Sequence, residues 1–154
     1  MRKLHQTTYF ANSVEIFLKE NALGLKAREP LQQLSHFREA VKLYKGLFLP
    51  GIEETWVHSP RESLQQIFIS ILIEVAELYL EMANYDLALE YSQRALEVDN
   101  CLEAAYRISF RIFAGMGDRA SVVRQYKRCV EVLRRDFNTE PSPQTRDLYE
   151  TLLK

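Results

Sequence analysis

Arg107 and Arg111 stand four residues apart and therefore share one helical face. Two guanidiniums one turn apart can fork a carboxylate. Glu77 and Glu81 repeat that spacing with the opposite charge. Two readings stay open: the arginines pair with these glutamates, or the four line a groove that takes an acidic segment of a partner. They are the candidate partner-binding residues.

No comparable set supports catalysis. His5, His36 and His58 are isolated, with no His-Glu-x-x-His and no cysteine partner. Gly-x-Ser-x-Gly, a phosphate-cradling glycine loop and the dinucleotide fingerprint are all missing. His58 beside Ser59 reads as loop and cap rather than a nucleophilic pair. Cys101 and Cys129 lack Cys-x-x-Cys spacing, although a disulfide between them stays open. The expectation is a non-enzyme with no catalytic, metal-binding or cofactor-binding residue and no cofactor.

The formal net charge of −1 hides an asymmetry. Glu74, Glu77, Glu81, Asp86, Glu90, Glu97, Asp99 and Glu103 face only Arg94 in their stretch. Arg107, Arg111, Arg119, Arg124, Lys127, Arg128, Arg134 and Arg135 follow, against Asp118 and Glu131. Either an acidic hairpin stacks on a basic one, or the basic surface meets DNA phosphate or an acidic partner. Without a recognition-helix pattern, the chain alone is expected to bind no specific DNA sequence. The N-terminus has no signal-peptide core, and the apolar runs Ile67–Ile69 and Ile71–Ile73 stop at Ser70 and Glu74. A cytoplasmic protein without a membrane segment is expected.

These residues are positioned by a helical hairpin written twice between Ile69 and Asp136. Tyr79, Ala83, Asn84, Tyr85, Ala88, Ala95 and Leu96 reappear 34 residues on as Phe113, Gly117, Asp118, Arg119, Val122, Cys129 and Val130. A period of about 34 with small residues at fixed places is the tetratricopeptide pattern. Tyr85, Ala88, Ala95 and Cys129 are thus structural, the small ones letting helices approach closely. The first helix of each repeat should face inward, which puts Arg107 and Arg111 in the concave groove.

Other helix signals surround the repeats. Asn12–Glu15 has capping-box spacing and opens a short helix that fades near Gly24. Pro30 starts a second, with Leu31, Leu34, Phe37, Val41 and Tyr44 as its stripe and Gly46 at its end. Ser59-Pro60-Arg61-Glu62 starts the central helix, with Ser59 as cap. Asn84 and Asp118 cap the second helices of the repeats, and Asn100–Glu103 reads as another box. Ser142-Pro143 opens a terminal helix with one apolar edge. Trp56, the lone tryptophan, is expected to pin its irregular link to the core. The fold expected is all-α: a tetratricopeptide-like right-handed superhelix of about seven helices. It should be one domain over residues 1–154, comprising N-terminal helices and a Trp-containing link (1–58), two hairpins (59–136) and a capping helix (137–154).

Several stretches resemble one family. These are Ala40-Val-Lys-Leu-Tyr-Lys-Gly-Leu-Phe-Leu-Pro-Gly51, Trp56-Val with Arg61-Glu-Ser-Leu64, Asn84-Tyr-Asp-Leu-Ala-Leu89 and Arg94-Ala-Leu-Glu-Val-Asp99. Phe137-Asn-Thr-Glu-Pro-Ser-Pro143 is similar to that family's Leu-Gly-x-Glu-Pro-Ser-Pro. From about Ser13 onward the chain resembles the bacterial transcriptional activator domain, the tetratricopeptide-like module of SARP-type regulators. Such regulators commonly carry a DNA-binding winged helix before this domain, and these 154 residues leave no room for one. The resemblance implies regulation through protein partners, with self-association as a dimer among the expected contacts. The alternative is a free-standing adaptor that holds an acidic peptide and has no link to transcription.

Overall fold

The computed structural model describes residues 2–47 and 58–154. Among the described residues there are seven helices and no strands: α1 (Arg2–Lys26), α2 (Pro30–Leu47), α3 (His58–Glu81), α4 (Tyr85–Val98), α5 (Glu103–Gly115), α6 (Arg119–Phe137) and α7 (Pro143–Leu153). This is the all-α class that the 3.6-residue periodicity requires. Trp56 lies outside the described residues, as does the side chain of Ser59. Contacts divide the chain into Met1–Ile71 and Leu72–Lys154, the division falling inside α3.

In the N-terminal unit α1 and α2 pack along each other. Phe17, Leu34, Phe37, Ala40, Val41 and Tyr44 are buried, whereas Leu31 is 73% exposed and so leaves the predicted stripe. Tyr44 lies between Phe17 (ring centroids 5.6 Å apart) and Phe68 (3.8 Å, stacked). Burial pushes its phenol up to about 12. His36 Nδ1 and Glu20 Oε2 are 2.7 Å apart, joining α2 to α1.

The short first helix is corrected on both ends. α1 already runs through Asn12–Glu15, so Asn12 is no cap; next to it the Ser13 hydroxyl donates to the Tyr9 carbonyl one turn back. Gly24 does not end the helix either. A Cβ there would sit 2.5 Å from the Phe37 ring, so the glycine serves close helix packing. α3 likewise starts one residue before Ser59, making His58 helical rather than loop.

By length and mean hydropathy Glu62–Glu81 passes as a membrane-crossing segment, which the run-length argument above denied. Its apolar side chains have another destination. Leu64, Phe68, Ile69, Ile71, Leu72, Val75, Ala76, Leu78 and Tyr79 are buried within the protein.

The C-terminal unit is built on α5, against which α4, α6 and α7 pack. Tyr106, Ile108, Phe110 and Ile112 of α5 are almost completely buried. Ala88, Ala95, Val122 and Cys129 are fully buried at the small positions of the repeat. Burial pushes the Cys129 thiol up to about 12, which leaves it unreactive near neutral pH. Both cysteines are free. Tyr126 of α6 stacks on Tyr149 of α7 at 3.9 Å and fixes the terminal helix.

The two hairpin turns match atom for atom. Ala83 N donates to Leu80 O and Asn84 N to Tyr79 O; 34 residues later Gly117 N donates to Ala114 O and Asp118 N to Phe113 O. Asn84 Oδ1 accepts from Leu87 N, and Asp118 Oδ1 from Ser121 N, as caps do. Both turns need a left-handed residue, Ala83 (φ 56°) in one and Gly117 (φ 76°) in the other. Asn138 (φ 53°) ends α6 the same way, so asparagine meets the backbone demand where the related motif has glycine.

A Cβ on Gly117 would meet nothing within 4 Å, so Gly117→Ala isolates the backbone cost. It should destabilise by roughly 1–2 kcal/mol in a urea melt. Ala83→Gly should raise the midpoint by relieving the same strain. An unchanged midpoint for Gly117→Ala would reject this account of the turns.

Candidate groove between alternate helices

The C-terminal half of α3, together with α5 and α7, encloses a groove of about 320 Å³. α3 contributes Ile73 and Glu77, one turn apart; α5 contributes Ala104, Arg107, Ile108 and Arg111; α7 contributes Gln144 and Leu148. Three of the four candidate residues therefore line one cavity. Glu81 is exposed and does not line it.

The two arginines are held differently. Arg111 Nη1 donates to both carboxylate oxygens of Glu77, at 2.8 and 2.7 Å. That pair is open to water, the side chains being 41% and 34% exposed. Arg107 is half-buried, and its Nη1 donates to Thr145 Oγ1 of α7 at 2.9 Å.

Thr145 is fully buried and belongs to a polar cluster at the start of α7. Ser142 N and Oγ both donate to Glu103 Oε2, at 2.9 and 2.8 Å, and Ser142 Oγ lies 3.2 Å from Thr145 Oγ1. Burial pulls the Glu103 carboxyl upward. Hydrogen bonds from Thr145 and Ser142, with the nearby Arg107 charge, outweigh that pull and hold it below the ordinary carboxylate range. Asn100–Glu103 is therefore no capping box. Leu102 precedes α5 without a side-chain cap, and Glu103 is spent on the α7 turn.

The same turn accounts for Glu140-Pro-Ser-Pro143. Glu140 pairs with Arg134 Nε at 2.6 Å, Pro141 is buried, Ser142 binds Glu103, and Pro143 takes the first position of α7. Of the structural residues, Tyr85 is half-buried. It lies so close to the end of α5 that a Cβ on Gly115 would be 2.7 Å from its hydroxyl. Thr145 and Ser142 escaped sequence reasoning as partners of Arg107 and Glu103. Their separations of 38 and 39 residues follow no repeat period. The groove so built presents one exchangeable guanidinium and one fixed one above an apolar floor of Ile73, Ala104, Ile108 and Leu148. Among the described residues no group of three or more His, Cys, Asp or Glu is placed to hold a metal ion.

A family model described as the bacterial transcriptional activator domain matches residues 14–153. A search of curated proteins returned no significant match.

The arginines should separate in a stability measurement. Arg107→Ala removes a charged hydrogen bond to the buried Thr145 hydroxyl and a favourable charge near Glu103, and should cost about 1–3 kcal/mol. Arg111→Ala breaks an exposed pair and should cost about 1 kcal/mol at most. Equal losses in urea melts would contradict the division.

Glu103 gives a pH signature. Its folded carboxyl titrates below the ordinary 4.5, so its stabilisation is complete above that pH and fades as the pH falls through the folded value. Glu103→Gln should flatten that part of the decline in melting temperature between about pH 4.5 and pH 3. Parallel curves for the two proteins would show that Glu103 does not contribute.

Proposed function

The chain belongs to the bacterial transcriptional activator domain family, and from that premise we propose that it serves its activator by holding a protein partner in the α3–α5–α7 groove. It is a regulatory domain of the transcriptional-activator type. In this reading DNA is read by a separate domain, while these residues make protein contacts in the cytoplasm and carry out no reaction. The observation that supports the groove is the Arg111–Glu77 pair. An exposed ion pair is worth only about 0–1 kcal/mol, so a partner carboxylate can take over the guanidinium at little cost. The apolar floor would then supply most of the contact energy.

Arg107 is a poor probe because it holds α7 in place. The test is Arg111→Glu, alone and with Glu77→Arg, in the full-length regulator. The double variant restores the internal pair with its direction reversed. Both variants should lose activation while keeping their melting temperature and DNA binding. Recovery of activation in the double variant would reduce the pair to a structural role and end the groove reading. An acidic peptide that binds the groove while Arg111→Glu leaves activation intact would favour an adaptor unrelated to transcription.

A further inference from the structure

A cavity of about 760 Å³ lies along the second half of α6, closed by Glu140 from the turn that leads into α7. It is more than twice the groove's 320 Å³ and shares no residue with it. Tyr126 and Val130, both half-buried, give it an apolar lining. The Tyr126 ring is fixed by its stack on Tyr149, so that lining is preformed. Around it stand three exposed bases, Lys127, Arg134 and Arg135, against two exposed acids, Glu131 and Glu140. Lys127, Val130 and Arg134 follow at spacings of three and four and so share one face of the helix.

The bases differ in what already holds them. Among the described residues Lys127 makes no ion pair. Arg134 Nε is paired with Glu140 Oε1 at 2.6 Å, with side chains 62% and 57% exposed. An exposed pair of this kind exchanges partners at little cost. Arg135 is engaged by its neighbour Asp136. The charge of Arg146, on α7, acts on both Tyr126 and Glu140. Glu140 therefore keeps a counter-charge when Arg134 turns to a ligand.

These features select among occupants. A bare phosphate ion satisfies Lys127 and Arg134 but leaves the apolar lining, and most of the volume, to water. The continuous phosphate track of duplex DNA meets Glu131 and Glu140 on the same surface and is repelled there. A compact organic anion meets both requirements. Its carboxylate, sulfonate or phosphate lies between Lys127 and Arg134, and its body covers Tyr126 and Val130. Cavities of roughly 300–1,000 Å³ with an apolar lining and a few polar groups suit ligands of that size. We propose that the α6 cavity binds a small organic anion with an apolar body, held by Lys127 and Arg134 against Tyr126 and Val130. The proposal stands apart from the groove, since neither Arg111 nor Glu77 takes part.

Fluorescence titration of the 154-residue chain with anilinonaphthalene sulfonate tests it. Two companions separate the contributions: phenylnaphthylamine keeps the rings without the sulfonate, and pyrophosphate, added as a competitor, keeps the charge without the rings. The sulfonate should bind saturably at one site and more tightly than either companion. Lys127→Gln/Arg134→Gln should weaken it at least about tenfold, two charged contacts being lost. Glu140→Gln should strengthen it, because Arg134 is released and a negative charge leaves the cavity. Arg119→Gln removes an exposed base of the same helix outside the cavity, and Arg111→Glu alters the groove; both should bind like wild type. Circular dichroism melts check folding. If the double variant melts lower, Lys127→Gln alone replaces it, with a smaller loss. The proposal is overturned by absent saturable binding, by either companion binding as tightly as the sulfonate, or by a double variant that binds like wild type. Weaker binding by Glu140→Gln would also overturn it. So would an Arg119→Gln loss equal to that of the double variant, which means bulk attraction, or a loss in Arg111→Glu, which puts the probe in the groove.

Discussion

The fully buried hydroxyl of Thr145, on α7, receives a guanidinium from Arg107 of α5, and the α7 turn places Ser142 on Glu103 of the same helix. Buried polar groups of this kind are stabilising only when all are satisfied together. Among the described residues none is left without a partner. Because its hydrogen bonds run in both directions between α5 and the start of α7, the network fixes the angle and register of the terminal helix. The Tyr126–Tyr149 stack and the edge contact of Phe110 with Tyr149 then close the apolar side. Without that docking Gln144 and Leu148 would not line the groove, and Arg107 would lose its partner Thr145.

The repeat separates scaffold from surface. Its turn hydrogen bonds, its capping side chains and even its left-handed residue recur after 34 positions. The outer charge is kept less strictly: Glu90 and Gln93 of α4 give way to Arg124 and Lys127 of α6, while Glu97 recurs as Glu131. On the inner side Glu77 becomes Arg111 at the same offset, and there the inversion joins the two repeats as an ion pair. On the outer side the one inverted pair, Glu90 and Arg124, makes no ion pair among the described residues. The backbone pattern carries the fold, and the side chains laid over it set the surface.

Some features are decided within a few residues and were therefore open to reading in the sequence. Helical periodicity, the caps Asn84 and Asp118, Pro30 and Pro143 at first helical positions, and the buried small positions Ala88, Ala95 and Cys129 all belong here. The repeat also made Glu77 and Arg111 neighbours, because equivalent residues of stacked hairpins lie beside each other. Tertiary structure decided the rest. A capping box and a mid-helix Asn-x-x-Glu look alike in sequence, since the difference lies in whether the preceding residues are already helical. At Asn12–Glu15 they are, and at Asn100–Glu103 the glutamate has a better partner on α7. Gly24 could not be told from a helix stop, because its purpose is the Phe37 ring on another helix. The fate of Arg107 turned on a threonine 38 residues away, whose burial exists only once α7 has docked. Local propensity follows from neighbours in the chain, whereas a polar side chain's partner depends on which elements come together after they have formed.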